Sequence, residues 1–248
     1  MIPRILHHVW LGLRPMHSLM VIWRQRWRKM NPDWRHLLWS QGAGIDEIVC
    51  DDDGFMAPEL DFRSSHSDLL RRACHLSQRS NIWRYEIVHR FGGVYVDTDV
   101  EPLRPLDDRL ASLDTFAVPR TGQPEFLETA FFGAAPGHPW TQDLCRSLDT
   151  VDPAASLSMG VHYFTKITTR HFESIPKVTL LPELAFASKY PSPDPRIGHR
   201  LGEVCLEPPA DDGEMARRYP EAYAAHHWSS LWFPESFRLL EGEKGERR

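Results

Sequence analysis

The chain has no paired-cysteine motif: Cys50, Cys74, Cys145 and Cys205 stand 24, 71 and 60 residues apart, so the Cys-x-x-Cys spacing of zinc and dithiol redox sites is missing. We read the four as buried or free thiols of a reducing compartment. There is also no run of about 18 apolar residues, which excludes a hydrophobic membrane-spanning helix. The opening segment MIPRILHHVWLGLRP lacks a basic stretch followed by an apolar one, because His7 and His8 interrupt its apolar run, so a secretory leader is not expected. Basic excess is missing too. The net charge is −5, which argues against nucleic acid as a partner. No internal repeat is visible, and the tail EGEKGERR (241–248) reads as a frayed end after one domain over 1–240.

What is present is a core-forming composition, 42% hydrophobic and 11% aromatic in 248 residues, enough to fold without disulfides or a structural metal. Residues 5–11 read as a buried strand closed by Gly12 and Pro15. Leu19, Ile22, Trp23, Trp27 and Met30 follow at helical spacing, ended by Asn31-Pro32, and residues 36–39 read as a second strand. Strand, helix and strand at this spacing predict a βαβ unit. Residues 1–40 hold seven Arg and Lys against Asp33 alone, a pattern of an anionic-membrane contact or of an ordinary solvated helix face.

A helix is predicted over residues 68–90, with Asn81 and Arg84 sharing a polar face opposite Ile82, Trp83, Ile87 and Val88. Gly92-Gly93 stops it, and Val94-Tyr95-Val96 starts a strand that runs into Asp97-Thr98-Asp99. Further strands are expected at Phe131-Phe132 and at 178–182. Ligands of open α/β sheets bind beyond the carboxyl ends of strands, where this acidic pair falls. Alternate residues of a strand point to opposite faces, so both aspartates serve one site only if a turn begins at Thr98. A hard divalent cation, Mn²⁺ or Mg²⁺, explains such a turn, since it takes carboxylate oxygens together with substrate phosphates. It would neutralise charge growing on a diphosphate leaving group.

The run from Ser80 through Arg84, Gly92-Gly93 and Tyr95 to Asp97-Thr98-Asp99 resembles the DXD sugar-binding glycosyltransferases of family 32. These include fungal initiating mannosyltransferases, animal α-1,4-glycosyltransferases and bacterial capsular polysaccharide enzymes. The sugar-transferring domains of large clostridial toxins carry a similar run. Residues 2–12, Asn31-Pro32-Asp33-Trp34 with Trp39, Ala130 to Pro139, and His226-His227-Trp228-Ser229-Ser230-Leu231-Trp232 are similar to four other blocks of the family, in order.

The resemblance implies a GT-A-like α/β fold, a mostly parallel central sheet flanked by helices. It implies a metal-dependent, configuration-retaining hexosyl transfer from a UDP- or GDP-sugar to a glycan or lipid-linked acceptor. Carried over by position, it places the nucleotide base against Trp10 and the backbone of Val9 and Leu11. Arg84 and Asn81 fall to the donor sugar or phosphates, Tyr95 to the pocket wall, Asp97 to the ribose and sugar, and Asp99 to the metal. His226, in preference to His227, completes the coordination, and Ser230 and Trp232 close over the diphosphate. Asn81 departs from the family, which carries aspartate three residues before the arginine; an amide bonds sugar hydroxyls but carries no charge.

Two other readings compete. A haloacid-dehalogenase-type phosphohydrolase also has an apolar strand ending in Asp-x-Asp, but Glu101 stands where its motif carries Thr or Val. An inactive sugar-nucleotide-binding module is the third reading, motivated by Asn81. The expected location is cytoplasmic, with peripheral contact at the inner membrane face.

Overall fold

The computed structural model describes residues 1–11, 15–52, 54–154, 159–174, 177–188 and 213–227. The expected βαβ unit is present: β1 (Ile5–Trp10), α1 (Ser18–Met30) and β2 (Arg35–Gln41), the two strands parallel with Ile5 facing Arg35 and Trp10 facing Ser40. His17 caps α1 by accepting from the Leu19 N–H at 3.3 Å, and Asn31 ends it with its side-chain amide on the Trp27 carbonyl. The buried stripe is Leu19, Met20, Trp23 and Trp27; Ile22, expected in it, faces solvent. Stripe members recur at one, four and eight residues, and Ile22 falls outside that arc.

A meander of β3 (Glu47–Asp52), β4 (Phe55–Met56) and β5 (Phe62–Arg63) leads to helices α2 (Ser67–Arg72) and α3 (Leu76–Phe91). The single helix expected over 68–90 is therefore two. The break has a local cause: the Gln78 side-chain carbonyl accepts from the N–H groups of Cys74 and His75 at 2.8 and 3.2 Å, a capping box that starts a new helix at His75.

After α3 come β6 (Gly93–Val96) and β7 (Val100–Pro102). Helix α4 (Asp108–Ser112), β8 (Thr115–Phe116), β9 (Pro119–Arg120), β10 (Gln123–Leu127) and β11 (Phe131–Ala134) follow. Helices α5 (Pro139–Ser147) and α6 (Val161–Thr169) precede β12 (Phe186–Ser188), α7 (Glu214–Arg218) and β13 (Ala224–His226).

The main sheet runs β4-β3-β2-β1-β6-β11-β8, with β5 on β3. Its centre, β2-β1-β6, is parallel, as expected, and the pairings on either side are antiparallel. Central parallel strands are covered on both faces, and β1 buries His7 and His8 in its middle. Burial pushes the His7 pKa down to about 4, and His8 well below its usual value, so both imidazoles are neutral. Trp39 donates to His7 Nδ1 at 3.0 Å, which leaves Nε2–H to donate to the Gly92 carbonyl at 2.7 Å. A second sheet, β12-β13-β7, carries the chain's late residues back to the end of β6. The strand expected over 178–182 is a single bridge from Leu180 to Ala117; β12 and β13 do the pairing instead.

The two largest apolar clusters contain alternate residues of the same strands. Phe132 and Tyr95 pack with Trp83, Trp140 and Phe164, whereas Phe131, Val94 and Val96 pack with Trp27, Phe116 and Phe186. Between α3 and β6 the chain turns through Gly92 and Gly93, both at positive φ. A Cβ on Gly93 would lie 2.6 Å from the Ile5 carbonyl oxygen, so this position takes neither the side chain nor the φ of another residue. Gly93→Ala is expected to lower stability by about 2 kcal/mol or more, read as a fall in the denaturant midpoint; an unchanged midpoint contradicts this account of the α3–β6 junction.

Candidate active site

Val96 ends β6, but the ladder holds one residue longer, through Asp97 N–H to the Ala130 carbonyl at 3.0 Å. The chain then turns: the Val100 N–H reaches back to the Asp97 carbonyl at 3.2 Å, closing a four-residue turn around Thr98. This is the turn that the Asp-x-Asp spacing requires. Val100 opens β7, whose antiparallel partner is β13, with His226 opposite Val100 and the His227 N–H on the Asp99 carbonyl at 3.1 Å. That register brings His226 Nε2 to 3.3 Å from Asp99 Oδ1. One ligand atom each of Asp97, Asp99 and His226 lie within 4.8 Å of one another.

Asp97 is held from the α3 side. Arg84 Nη2 lies 3.0 Å from its Oδ1, and the Tyr95 hydroxyl donates to the same oxygen at 2.6 Å. The guanidinium also donates to the Thr129 carbonyl at 2.9 Å and lies over the Tyr95 ring, 4.6 Å from its centroid. Burial disfavours the Arg84 charge, but Asp97 together with its neighbours Tyr95 and Tyr85 outweighs it, and the net shift is upward. Burial pushes the Tyr95 phenol well above its usual range, so it keeps the proton it donates. Arg84 is thus a buried residue tied to the first aspartate, not an exposed helix arginine.

The two C-terminal histidines separate. His226 faces the acidic turn with Nε2, and its Nδ1 lies 3.7 Å from Glu128 Oε2. His227 turns the other way: its Nε2 is 2.8 Å from Glu101 Oε2, and its ring stacks on Trp23 at 4.5 Å. Glu101 also accepts from Arg26 of α1 at 3.1 Å. His227 is therefore not brought into the cluster, because consecutive residues of an extended segment face opposite ways.

Val9 and Leu11 are buried at the carboxyl end of β1, beside β6, and Trp10 packs half-buried against Leu19, Met20 and Trp23. Asn81 is half-buried in α3, one turn before Arg84. Ser230 and Trp232 lie outside the described residues. Sequence reasoning missed Glu101, Glu128 and the Thr129 carbonyl. For the last two a signal was at hand, since they directly precede the Ala130–Pro139 block.

Two carboxylates and an imidazole at this separation form an oxygen-and-nitrogen donor set that fits Mn²⁺ or Mg²⁺. Burial opposes protonation of His226, but Asp99 and Glu128 override it and raise its pKa to about 10. In the metal-free protein that proton stabilises the fold fully below pH 6.5, and the stabilisation is lost as pH rises through about 10. A metal ligand must shed it, so Mn²⁺ affinity is expected to rise with pH, by up to about tenfold per unit between pH 7 and 9. Calorimetric titration at those pH values checks this; an affinity independent of pH contradicts it. His226→Ala should abolish Mn²⁺ binding, whereas His227→Ala should retain it and lower thermal stability.

Residues 20–117 match a family described as "Glycosyltransferase sugar-binding region containing DXD motif". The chain is 26% identical over 189 residues to inositol phosphoceramide mannosyltransferase 1 of Schizosaccharomyces pombe, covering 72% of this chain and 48% of that protein. It is 26% identical over 147 residues to inositol phosphoceramide mannosyltransferase 3 of the same organism, covering 59% and 37%. The chain thus spans about half or less of these relatives' length. Among solved structures it is similar to PaToxG glycosyltransferase, with a TM-score of 0.50 and 16% identity over 71% of this chain and 70% of that one. At that identity the likeness is one of fold, and it agrees with the GT-A-like architecture expected from sequence. Residues 20–117, with Asp97 and Asp99 at the end of β6, are thus similar to the DXD-containing sugar-binding region of glycosyltransferases.

Proposed function

We propose that residues 1–240 act as one metal-dependent, configuration-retaining glycosyltransferase unit that moves a hexosyl group from a UDP- or GDP-sugar to an acceptor hydroxyl. The observation that carries this reading is the convergence of Asp97, Asp99 and His226 at the carboxyl end of β6. Asp99 and His226 hold Mn²⁺ or Mg²⁺. When bound, the cation neutralises charge on the departing nucleoside diphosphate. Asp97, fixed by Arg84 and Tyr95, accepts hydrogen bonds from the donor ribose and sugar hydroxyls. Asn81 and Arg84 border the donor sugar, and Trp10 with the backbone of Val9 and Leu11 carries the base. Ser230 and Trp232 are assigned to the diphosphate by resemblance alone. No side chain is assigned as nucleophile; with an α-linked donor the product is α-linked. The phosphohydrolase alternative needs Asp97 as a nucleophile, but Arg84 and Tyr95 already engage its Oδ1.

The acceptor is a glycan or lipid-linked saccharide; the names of both curated relatives, inositol phosphoceramide mannosyltransferases, favour a mannosyl donor and a lipid acceptor. We place the chain at the cytoplasmic membrane face. No helix among the described residues is long and apolar enough to cross a membrane. Exposed Val21 and Ile22, beside Arg28 and Lys29 on α1, suit a peripheral contact with anionic lipid. Val21→Asp/Ile22→Asp is expected to lose binding to phosphatidylserine vesicles in sedimentation; equal pelleting of this variant, or none by the wild type, contradicts the contact.

The reading itself is tested by thermal unfolding with Mn²⁺ and a panel of UDP- and GDP-sugars. A preferred donor at 100 times its Kd stabilises the native state by about 2.7 kcal/mol. The expected result is a metal-dependent rise in Tm with one nucleotide class, absent in Asp99→Ala. No rise with any donor contradicts it. A rise without acceptor-dependent release of free nucleotide identifies the inactive binding module instead.

A further inference from the structure

We propose that Glu128 is the positioning residue of the metal site: its carboxylate faces Nδ1 of His226 as an ion-pair contact and so favours the Nδ1–H tautomer, which offers Nε2 to the cation. The inference rests on the reading of Asp99 and His226 as cation ligands. A neutral imidazole carries one proton, and only its unprotonated nitrogen binds a metal. Nε2 is the nitrogen that faces Asp99, at 3.3 Å. The proton must then sit on Nδ1, and the carboxylate oxygen 3.7 Å from it is Glu128 Oε2. A carboxylate at that place orients the ring, selects the tautomer and makes Nε2 a stronger donor.

Glu128 is built for this task. Its side chain is 1% exposed, which leaves it no room to meet substrate as a nucleophile, and it is not one of the three clustered ligands. Burying a carboxylate needs a compensating charge, supplied by Arg120, whose Nε is 3.3 Å from Oε1. Its backbone is pinned as well, Glu128 N–H donating to the Val118 carbonyl at 2.9 Å. The next residue accepts from Arg84 through the Thr129 carbonyl at 2.9 Å. One short segment therefore braces both flanks of the site: Thr129 steadies the arginine that holds Asp97, and Glu128 steadies the histidine that joins Asp99.

The test titrates the whole chain with Mn²⁺ alone, comparing wild type, Glu128→Gln and Asp99→Ala, with Tm measured in chelator. Glu128→Gln is expected to weaken Mn²⁺ binding by the folded protein about tenfold or more, alongside a lower metal-free Tm from the unpaired Arg120. A merely structural role would lower the Tm and leave the affinity of the folded fraction unchanged. Long-range ¹H–¹⁵N spectra of the Mg²⁺-bound wild type, with the His226 signal identified against His226→Gln, read the tautomer without any change at Glu128. The expected form is Nδ1–H. Equal Mn²⁺ affinity in Glu128→Gln, or an Nε2–H tautomer in the wild type, overturns the role of Glu128 and leaves the cation site standing. Absence of Mn²⁺ binding by the wild type overturns both together.

Discussion

The antiparallel pairing of β13 with β7 is the constraint on which the rest of the site depends. The turn after β6 gathers two carboxylates, but on its own it is a loop of like charge at the end of a sheet. Setting His226 opposite Val100 places an imidazole beside Asp99, and the backbone bond from His227 to Asp99 locks that register. A slip of one residue would exchange the two histidines, sending His227 to the acidic turn and His226 toward Glu101. Helix α1 resists such a slip, since Trp27 donates to the Val100 carbonyl at 3.1 Å and Arg26 and Trp23 meet Glu101 and His227. The βαβ unit at the start of the chain therefore braces the strand that receives the end of it.

Electrostatic order explains how four carboxylates crowd into one region. Asp97 pairs with Arg84, Glu101 with Arg26 and Glu128 with Arg120, each arginine arriving from a different element. Buried charges survive when so compensated. Asp99 instead faces the imidazole of His226. The charge pattern thus separates the carboxylates paired with arginine from the one that faces His226, the pair we propose as cation ligands.

Much of this was legible in the chain, and the reasons differ by element. β1, α1, β2 and β6 follow from local patterns: apolar runs, a helical stripe, and glycines that end α3. The turn at Thr98 follows from chemistry, because two aspartates one residue apart converge only if the strand stops between them. The break at His75 was hidden because Gln78 reads as an ordinary helix residue until its side chain is seen capping. Ile22 was misplaced because apolar character alone does not fix the centre of a buried stripe. β12 and β13 are short and gain their identity from a partner far away in sequence, and so does Glu128, a carboxylate set between Leu127 and Thr129. Resemblance supplied His226, whose geometry then distinguished it from His227 without further appeal to the family.

The central claim is that β6, β7 and β13 assemble one cation site for a nucleoside diphosphate. The most direct measurement is a crystal structure of the chain with Mn²⁺ and UDP or GDP, with anomalous scattering recorded at the manganese edge. The account predicts a single strong anomalous peak within bonding distance of Asp99 and His226 Nε2, bridged to the diphosphate, with Arg84 still on Asp97. A peak elsewhere, or a bound diphosphate with His226 turned away from the metal, would contradict it.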